Sequence, residues 1–177
     1  MKPRIILIGA GGHGKVLVDT IILQGKYEIV GFVDSSLAVD TEIYRKFKVI
    51  LAQNELNKMS NFADYFIITI GNNIIRERLF KEAENYLKPA LIIHPSATIG
   101  SDVTIGDGSV VLSNSIINTC SYIGKNTIVN SGVIIDHECK IGSHVHLSIG
   151  SLVGSNSIIS DNTTTDIGQH INSFSKI

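Results

Sequence analysis

The sequence contains no tryptophan, three prolines and only two cysteines in 177 residues. Cys120 and Cys139 are too few for a disulfide framework, and they lack the close pairing of metal-binding cysteines. The chain has 15 basic and 16 acidic residues, and its basic residues do not cluster in the sequence. This argues against a nucleic-acid or anionic-membrane surface. No apolar run approaches the roughly 20 residues that span a bilayer. The first run is interrupted by Gly11 and Gly12 without a signal-peptide cleavage site. We therefore expect a cytoplasmic protein with no membrane insertion.

The first half of the chain alternates short apolar runs with helix-like segments, and 44% hydrophobic residues are enough for a globular core. Strands are predicted at 4–9, 28–34, 47–51, 64–70 and 90–93, and helices at 13–23, 53–58 and 73–87. Strands that alternate with helices indicate a parallel sheet with helices packed against it. The fold predicted for residues 1–92 is therefore a small Rossmann-like α/β domain.

A different period begins at residue 93, where aliphatic residues recur every sixth position. These residues are Ile93, Ile99, Ile105, Val111, Ile117, Ile123, Val129, Ile135, Ile141, Leu147, Val153 and Ile159. The residue four positions after each is often small or β-branched, and glycine often follows the aliphatic residue directly. A six-residue period predicts a parallel β-helix, in which we expect those glycines to supply unusual turn dihedrals. Resemblance to hexapeptide-repeat proteins implies a left-handed, triangular coil and trimers with ligand sites between subunits.

The period is predicted to fail near the end of the chain. Thr165 stands where the next aliphatic residue is due, and Ile167 with Gly168 arrives two residues late. We therefore expect residues 93–177 to be a β-helix whose C-terminus is irregular and shortened, either as a terminal cap or as a truncated coil.

The segment Gly9–Gly14 fits the pattern G-x-G-x-x-G between a predicted strand and a predicted helix, and Asp34 ends the next strand. This is the dinucleotide-binding fingerprint, in which glycines allow the backbone to approach a pyrophosphate at a helix N-terminus. A merely tight structural turn is the alternative. An NAD site needs two βαβ halves, and residues 1–92 have room for about one and a half. A nucleotide-linked substrate therefore fits this domain better than NAD.

The segment IDHECKIG, residues 135–142, contains a candidate acid–base pair. Cys139 occupies a repeat position and is expected to be a small corner residue facing the core. His137 followed by Glu138 offers a general base with a carboxylate that orients it. A solvated turn is the first alternative. A zinc site using His137, His144 and His146 is the second, but their gaps differ from those of the three-histidine γ-type carbonic anhydrases.

Several motifs together resemble one family of sugar acyltransferases. They are the G-x-G-G-H-G turn at 9–14, FVD at 32–34, IGNN at 70–73, HPSA at 94–97 and DHEC at 136–139. Over roughly residues 4–160 the chain is similar to the bacillosamine N-acetyltransferase, perosamine N-acetyltransferase and sialic-acid O-acetyltransferase type. The resemblance implies His137 as catalytic base and Glu138 as its carboxylate. The nucleotide-sugar pocket that it implies contains Gly11, Gly12, His13, Asp34, Ser35 and Gly71. His146 and Ser155 are the implied contacts to acetyl-coenzyme A.

The expected function is acetyl transfer from acetyl-coenzyme A to an amine of a nucleotide-linked amino-sugar, as in bacterial surface-glycan synthesis, by a homotrimer without a metal. His137 would take the proton of the attacking amine, and Glu138 would hold the imidazole. Three alternatives stay open. They are O-acetylation of a sialic-acid-type sugar, a shortened non-catalytic sugar-binding homologue, and an NAD-binding regulator.

Overall fold

The structure is a computed structural model that describes all residues from 1 to 177. It divides into two compact units, Met1–Ala90 and Leu91–Ile177. The boundary expected from the sequence, after residue 92, lies two residues further along the chain. No helix in either unit is long and apolar enough to cross a membrane.

The N-terminal unit is a six-stranded sheet with helices between its strands. Its strands are β1 (Arg4–Ile8), β2 (Glu28–Asp34), β3 (Glu42–Tyr44), β4 (Phe47–Ala52), β5 (Tyr65–Ile68) and β6 (Lys88–Pro89). Its helices are α1 (Gly12–Gln24), a 3₁₀ helix (Gln53–Asn61) and α2 (Asn73–Ala83). The strand order is β3–β4–β2–β1–β5–β6, and every pair is parallel except β3 with β4. The four residues after Arg4 in β1 are fully buried, which explains their uninterrupted apolar character.

Two details of the N-terminal unit differ from the sequence prediction. The strand β3 was not predicted, and it joins the sheet only through a hairpin whose turn residues, Arg45 and Lys46, both have positive φ. The strand predicted at 90–93 is shortened to Ile92–Ile93, which belongs to the second unit. A separate strand that was not predicted, Lys88–Pro89, pairs with β5. Pro89 has no N–H to donate, and it lies on an edge strand, where that loss is tolerated.

The C-terminal unit is a parallel β-helix built from two-residue strands on three faces. The first sheet contains β7 (Ile92–Ile93), β10 (Val110–Val111), β13 (Ile128–Val129) and β16 (His146–Leu147). The second contains β8 (Thr98–Ile99), β11 (Ile116–Ile117), β14 (Ile134–Ile135), β17 (Leu152–Val153) and β19 (His170–Ile171). The third contains β9 (Thr104–Ile105), β12 (Tyr122–Ile123), β15 (Lys140–Ile141) and β18 (Ile158–Ile159). Val111 pairs with Val129, so one coil takes 18 residues. The predicted fold class is confirmed.

The corners of the coil explain why small residues recur with the aliphatic ones. The hydroxyl of Ser109 is buried and donates to the carbonyl of Gly124, 15 residues on, at 2.8 Å. Thr127 donates to Gly142 in the same way at 2.9 Å. Each hydroxyl therefore fills a narrow corner and satisfies a carbonyl of the next turn, which a larger apolar side chain would leave without a partner.

The predicted role of the glycines that follow the aliphatic residues is wrong. A Cβ on Gly124 would lie 2.5 Å from the backbone of Gly142, so glycine is needed there because successive coils approach closely. The left-handed backbone instead recurs at another position of the repeat, again every sixth residue. Its members are Asp102, Gly108, Asn114, Cys120, Asn126, Gly132, Glu138, His144, Gly150, Asn156, Asn162, Gly168 and Phe174. Asn, Asp and Gly dominate because they tolerate positive φ best.

The predicted loss of register after residue 160 is also wrong. Ile171 is only 7% exposed and pairs with Val153, 18 residues earlier, as the repeat requires. Ile167 is 78% exposed and is not a core residue. Thr165 fills the aliphatic position with 2% exposure, and its hydroxyl accepts the Ser148 N–H at 2.7 Å. The repeat therefore continues, because one buried threonine whose hydroxyl is satisfied replaces an aliphatic residue.

Candidate functional site

The glycine-rich turn after β1 contains glycines of two kinds. Gly9 has φ 112°, and a Cβ on Gly14 would lie 2.7 Å from the Gly9 carbonyl oxygen, so the fold itself requires both. A Cβ on Gly11 or on Gly12 would meet no atom within 4 Å, and neither residue has a left-handed φ. Gly11 is the N-cap of α1 and provides no side-chain cap. The internal packing of the chain therefore does not explain these two glycines, whereas a ligand lying against the backbone at a helix N-terminus would.

Asp34, at the end of β2, holds the glycine-rich turn in place. One carboxylate oxygen accepts the Ala10 N–H at 2.8 Å, and the other accepts the N–H and hydroxyl of Ser36 at 2.8 Å and the N–H of Leu37. Partial burial acts to raise the pKa of Asp34, but these hydrogen bonds outweigh it and hold the pKa below its ordinary value. His13 is half-buried in the first turn of α1, and Ser35 is exposed beside Asp34. These predicted residues thus lie along one edge of the sheet.

Gly71, the remaining residue of the predicted substrate pocket, is held by an arginine that the sequence analysis missed. Arg76 is fully buried, and its guanidinium donates to the Gly71 carbonyl at 2.9 Å, to the Ile70 carbonyl at 3.2 Å and to Asn73 Oδ1 at 2.7 Å. Burial lowers the pKa of Arg76 to about 10, so it is charged at neutral pH. The peptide that joins Gly71 to Asn72 is planar and trans, so its carbonyl and its N–H point in opposite directions. Because the carbonyl of Gly71 accepts from Arg76, the N–H of Asn72 points away from Arg76.

Arg76 was missed because an arginine on an amphipathic helix is usually exposed. One signal in the sequence could have identified it. The residue lies between Asn73 and Leu79, both buried on α2, so the spacing of three places it on the inner face of the helix.

His137 and Glu138 form a hydrogen-bonded pair at the turn between β14 and β15. His137 Nδ1 lies 3.0 Å from Glu138 Oε2. Because a carboxylate only accepts hydrogen bonds, the shared proton is carried by Nδ1 and the lone pair remains on Nε2. The His137 side chain is 46% exposed, so a substrate can reach Nε2. Glu138 has φ 59° and occupies the left-handed corner of the repeat. The fold therefore places an exposed imidazole and a carboxylate side by side.

Neighbouring coils support this pair with amide side chains. Asn156, one coil later, donates to Glu138 Oε2 at 3.4 Å. Asp136 Oδ1 accepts the backbone N–H of His137 at 2.8 Å and the Asn118 carboxamide at 3.2 Å. Asp136 is half-buried and fixes the backbone of His137. The signal for these partners is the separation of 18 residues, which places residues in register on adjacent coils.

Cys139 lies at the core-facing corner predicted for it. It is fully buried, and its thiol donates to the Gly154 carbonyl at 3.2 Å, as the serines do at equivalent corners. Burial raises the pKa of the Cys139 thiol, so at neutral pH it is a protonated donor and not a thiolate nucleophile.

The two predicted acetyl-coenzyme A contacts lie on different parts of the β-helix. Ser155 is one coil beyond His137 in the same turn, where the Asn156 N–H donates to the His137 carbonyl at 3.1 Å. His146 is on β16, in the first sheet and outside that turn, and its Nε2 lies 3.3 Å from the Asn130 amide nitrogen. His144 is buried, 2.8 Å from the Asn126 amide nitrogen. A group of three or more His, Cys, Asp or Glu side chains that could hold a metal does not form.

Comparison with known proteins gives matches to both halves of the chain. Residues 4–83 match the family model described as the PglD N-terminal domain. The UDP-N-acetylbacillosamine N-acetyltransferase of Bacillus subtilis (strain 168) is 26% identical over 125 residues, which are 62% of this chain and 51% of that protein. The match thus spans about half the length of this curated relative.

Two solved structures are similar over nearly the whole chain. The acetyltransferase domain of PglB from Neisseria gonorrhoeae FA1090, in complex with acetyl coenzyme A, has 27% identity and a TM-score of 0.77, covering 99% of this chain and 96% of that one. A mutant perosamine N-acetyltransferase from Caulobacter crescentus, in complex with CoA and GDP-perosamine, has 24% identity and a TM-score of 0.79, covering 98% and 88%. At that identity the second likeness concerns the fold alone. The resemblance predicted from the motifs is confirmed.

Proposed function

We propose that the chain is an acetyltransferase that transfers the acetyl group of acetyl-coenzyme A to the amine of a nucleotide-linked amino-sugar. The observation that carries the proposal is the 3.0 Å contact between His137 Nδ1 and Glu138 Oε2, which leaves Nε2 as a base. The similarity to sugar N-acetyltransferases supports the choice of an amine as acceptor. Gly11 and Gly12, which the fold does not require, support a nucleotide bound at the turn after β1.

The proposed chemistry assigns one role to each member of the pair. The amine nitrogen attacks the thioester carbonyl, and His137 Nε2 takes a proton from that nitrogen. Glu138 keeps the proton on Nδ1 and stabilises the imidazolium that forms. The carbon–sulfur bond then breaks, and the imidazolium returns the proton to the leaving thiolate.

We place acetyl-coenzyme A near Ser155 and His146. Because these two lie on different parts of the coil, we further propose a homotrimer in which neighbouring subunits bring the two surfaces together.

The alternative of a shortened, non-catalytic sugar-binding homologue loses one of its supports. The expected loss of register after residue 160 favoured it, and Ile171 instead pairs with Val153 as the repeat requires. We also propose that the protein works in the cytoplasm, where nucleotide-sugars and acetyl-coenzyme A are both available. Light scattering coupled to size-exclusion chromatography tests the trimer, and a monomeric mass would contradict it.

The test of the proposed function is mass spectrometry of acetyl transfer to a panel of UDP- and GDP-linked amino-sugars. His137→Ala is expected to lower turnover by about 10² to 10⁴-fold, the usual contribution of a general base, without weakening nucleotide-sugar binding. Ser101→Ala is the matched control, because Ser101 occupies the same turn position two coils earlier. Transfer by His137→Ala at the parent rate would show that His137 is not the base.

A further inference from the structure

A second feature of the N-terminal unit is a cavity of about 530 Å³ that the glycine-rich turn does not itself line. Its walls are Ser35, Ala52, Gln53, Asn54, Arg78 and Glu82. These residues come from the carboxyl ends of β2 and β4, from the start of the 3₁₀ helix and from one side of α2. Ser35 follows Asp34, which accepts the Ala10 N–H, so the cavity opens beside the turn. Ligands of open α/β sheets bind at this carboxyl edge.

The polar side chains of this cavity have unused hydrogen-bonding capacity. Arg78 and Glu82 are one turn apart on α2 and are exposed, yet they form no ion pair with each other or with another residue. The nearby pair Glu77 and Lys81, at the same spacing, is joined at 2.6 Å. Arg78 precedes Glu82 along the helix, and a pair with the basic residue first attracts more weakly than a pair in the reverse order. Both charged groups therefore stay available to a ligand. The carboxamides of Gln53 and Asn54 line the same cavity.

These groups match one nucleobase better than the other common candidate. A carboxylate offers two adjacent acceptors, and guanine presents two adjacent donors, N1–H and the exocyclic amine, whereas uracil presents one N–H. An arginine fork fits O6 and N7 of guanine. Side chains four apart on a helix are about 6 Å apart at Cβ, so they can reach both edges of a purine.

We propose that this cavity binds the base of the nucleotide and that Glu82 and Arg78 select guanine over uracil. The inference rests on the proposed function, since it assumes that the sugar substrate carries a nucleoside diphosphate. It deepens that function by naming the substrate class as GDP-linked amino-sugars. The diphosphate lies at Gly11 and Gly12, and the base lies in the cavity past Ser35.

Calorimetric titration of the full chain with GDP and with UDP tests the proposal. The parent is expected to bind GDP at least about tenfold more tightly, the discrimination typical of one good bidentate contact. Glu82→Gln replaces one acceptor by a donor and is expected to remove most of the preference while leaving UDP affinity unchanged. Glu84→Gln, an exposed carboxylate two residues further on, is the control and should bind like the parent.

The outcomes separate this inference from the proposed function. UDP binding as tight as GDP binding in the parent, or an unchanged GDP preference in Glu82→Gln, overturns the inference and leaves the acetyltransferase proposal standing. If the folded parent binds neither nucleotide, the inference and the nucleotide-linked substrate fail together.

Discussion

At the residue scale, the most informative positions are those where the fold does not demand the residue that is present. Gly9 is required by its positive φ, and Gly14 is required by a close backbone contact. The same motif also contains Gly11 and Gly12, which the fold does not require. Asp34 is a similar case, because the motif suggests a ligand contact while the structure shows one carboxylate oxygen bonded to the turn and the other bonded to Ser36. The motif alone could not distinguish these roles, since it carries no information about neighbouring atoms.

Alanine substitutions in the turn are expected to separate these two kinds of glycine. Gly11→Ala places a methyl group in open space, so stability should be nearly unchanged while affinity for a nucleoside diphosphate falls. Gly14→Ala forces a Cβ to 2.7 Å from the Gly9 carbonyl oxygen and should lower the free energy of unfolding by about 1–3 kcal/mol. Denaturant unfolding and calorimetry measure the two effects. Unchanged nucleotide binding in Gly11→Ala would contradict the assignment.

The carboxylate of Glu138 is expected to control the tautomer of His137. In Glu138→Gln the side-chain amide can donate to Nδ1, which moves the imidazole proton to Nε2 and removes the base. Turnover should fall at least about tenfold, by analogy with the loss of the carboxylate in a catalytic triad. Asp102→Asn is the matched control, since Asp102 has φ 58° at the same corner two coils earlier. Equal loss in both variants would point to a general effect on the β-helix.

At the scale of elements, buried hydrogen-bonding side chains at many of the corners join one coil to the next. Cys139→Ser is expected to be tolerated within about 1 kcal/mol, because serine makes the same bond at the corners of Ser109, Ser121 and Ser157. Cys139→Leu overpacks the corner and frees the Gly154 carbonyl, at a cost of about 1–3 kcal/mol. Chemical denaturation measures both. A Ser variant that folds but loses acetyl transfer would reveal a chemical role for the thiol.

Element prediction succeeded where one periodicity dominates and failed where contacts decide. The six-residue period correctly predicted the inward aliphatic residues of β10 to β18. It could do so because each two-residue strand contributes one aliphatic residue of the repeat to the core. The edge strand β3 carries no such signal, since its residues are exposed or half-buried and it is held by a hairpin. Thr165 misled the prediction because its hydroxyl is satisfied by Ser148 and Ser151, and that satisfaction depends on coils brought together only by folding.

At the scale of the whole molecule, the charge state of Asp34 links stability to pH. Its pKa is lowered in the folded state, so it contributes stability above its unfolded pKa of about 3.9 and loses that contribution as the pH falls through the folded value. Asp34→Asn should therefore be less stable than the parent at pH 7, and the difference should shrink towards pH 3. Denaturant unfolding at the two pH values measures this. A constant difference would indicate that hydrogen-bond geometry, not charge, stabilises the turn.

The two units differ in how much of their function a sequence can predict. His137 and Glu138 are adjacent in the chain, so the amino-acid sequence alone is enough to suggest the pair. Asn118 and Asn156, which support it, each lie 18 residues from the carboxylate they contact and become neighbours of it only through the coil. Arg76 is local in sequence to Gly71, but its burial depends on how α2 packs on the sheet.

The 18-residue coil also determines which changes in chain length the β-helix can absorb. Duplication or deletion of a whole coil would return every later residue to its original column and leave His137 on the same edge. Insertion of one hexapeptide between Asn118 and Asp136 would keep every aliphatic residue inside but shift the later chain by one face relative to the coils below. Asn118 would then no longer lie under Asp136. In the evolution of this β-helix, insertions of six residues between these coils can preserve the fold while removing the contact of Asn118 with Asp136, whereas insertions of 18 keep every later residue in its column.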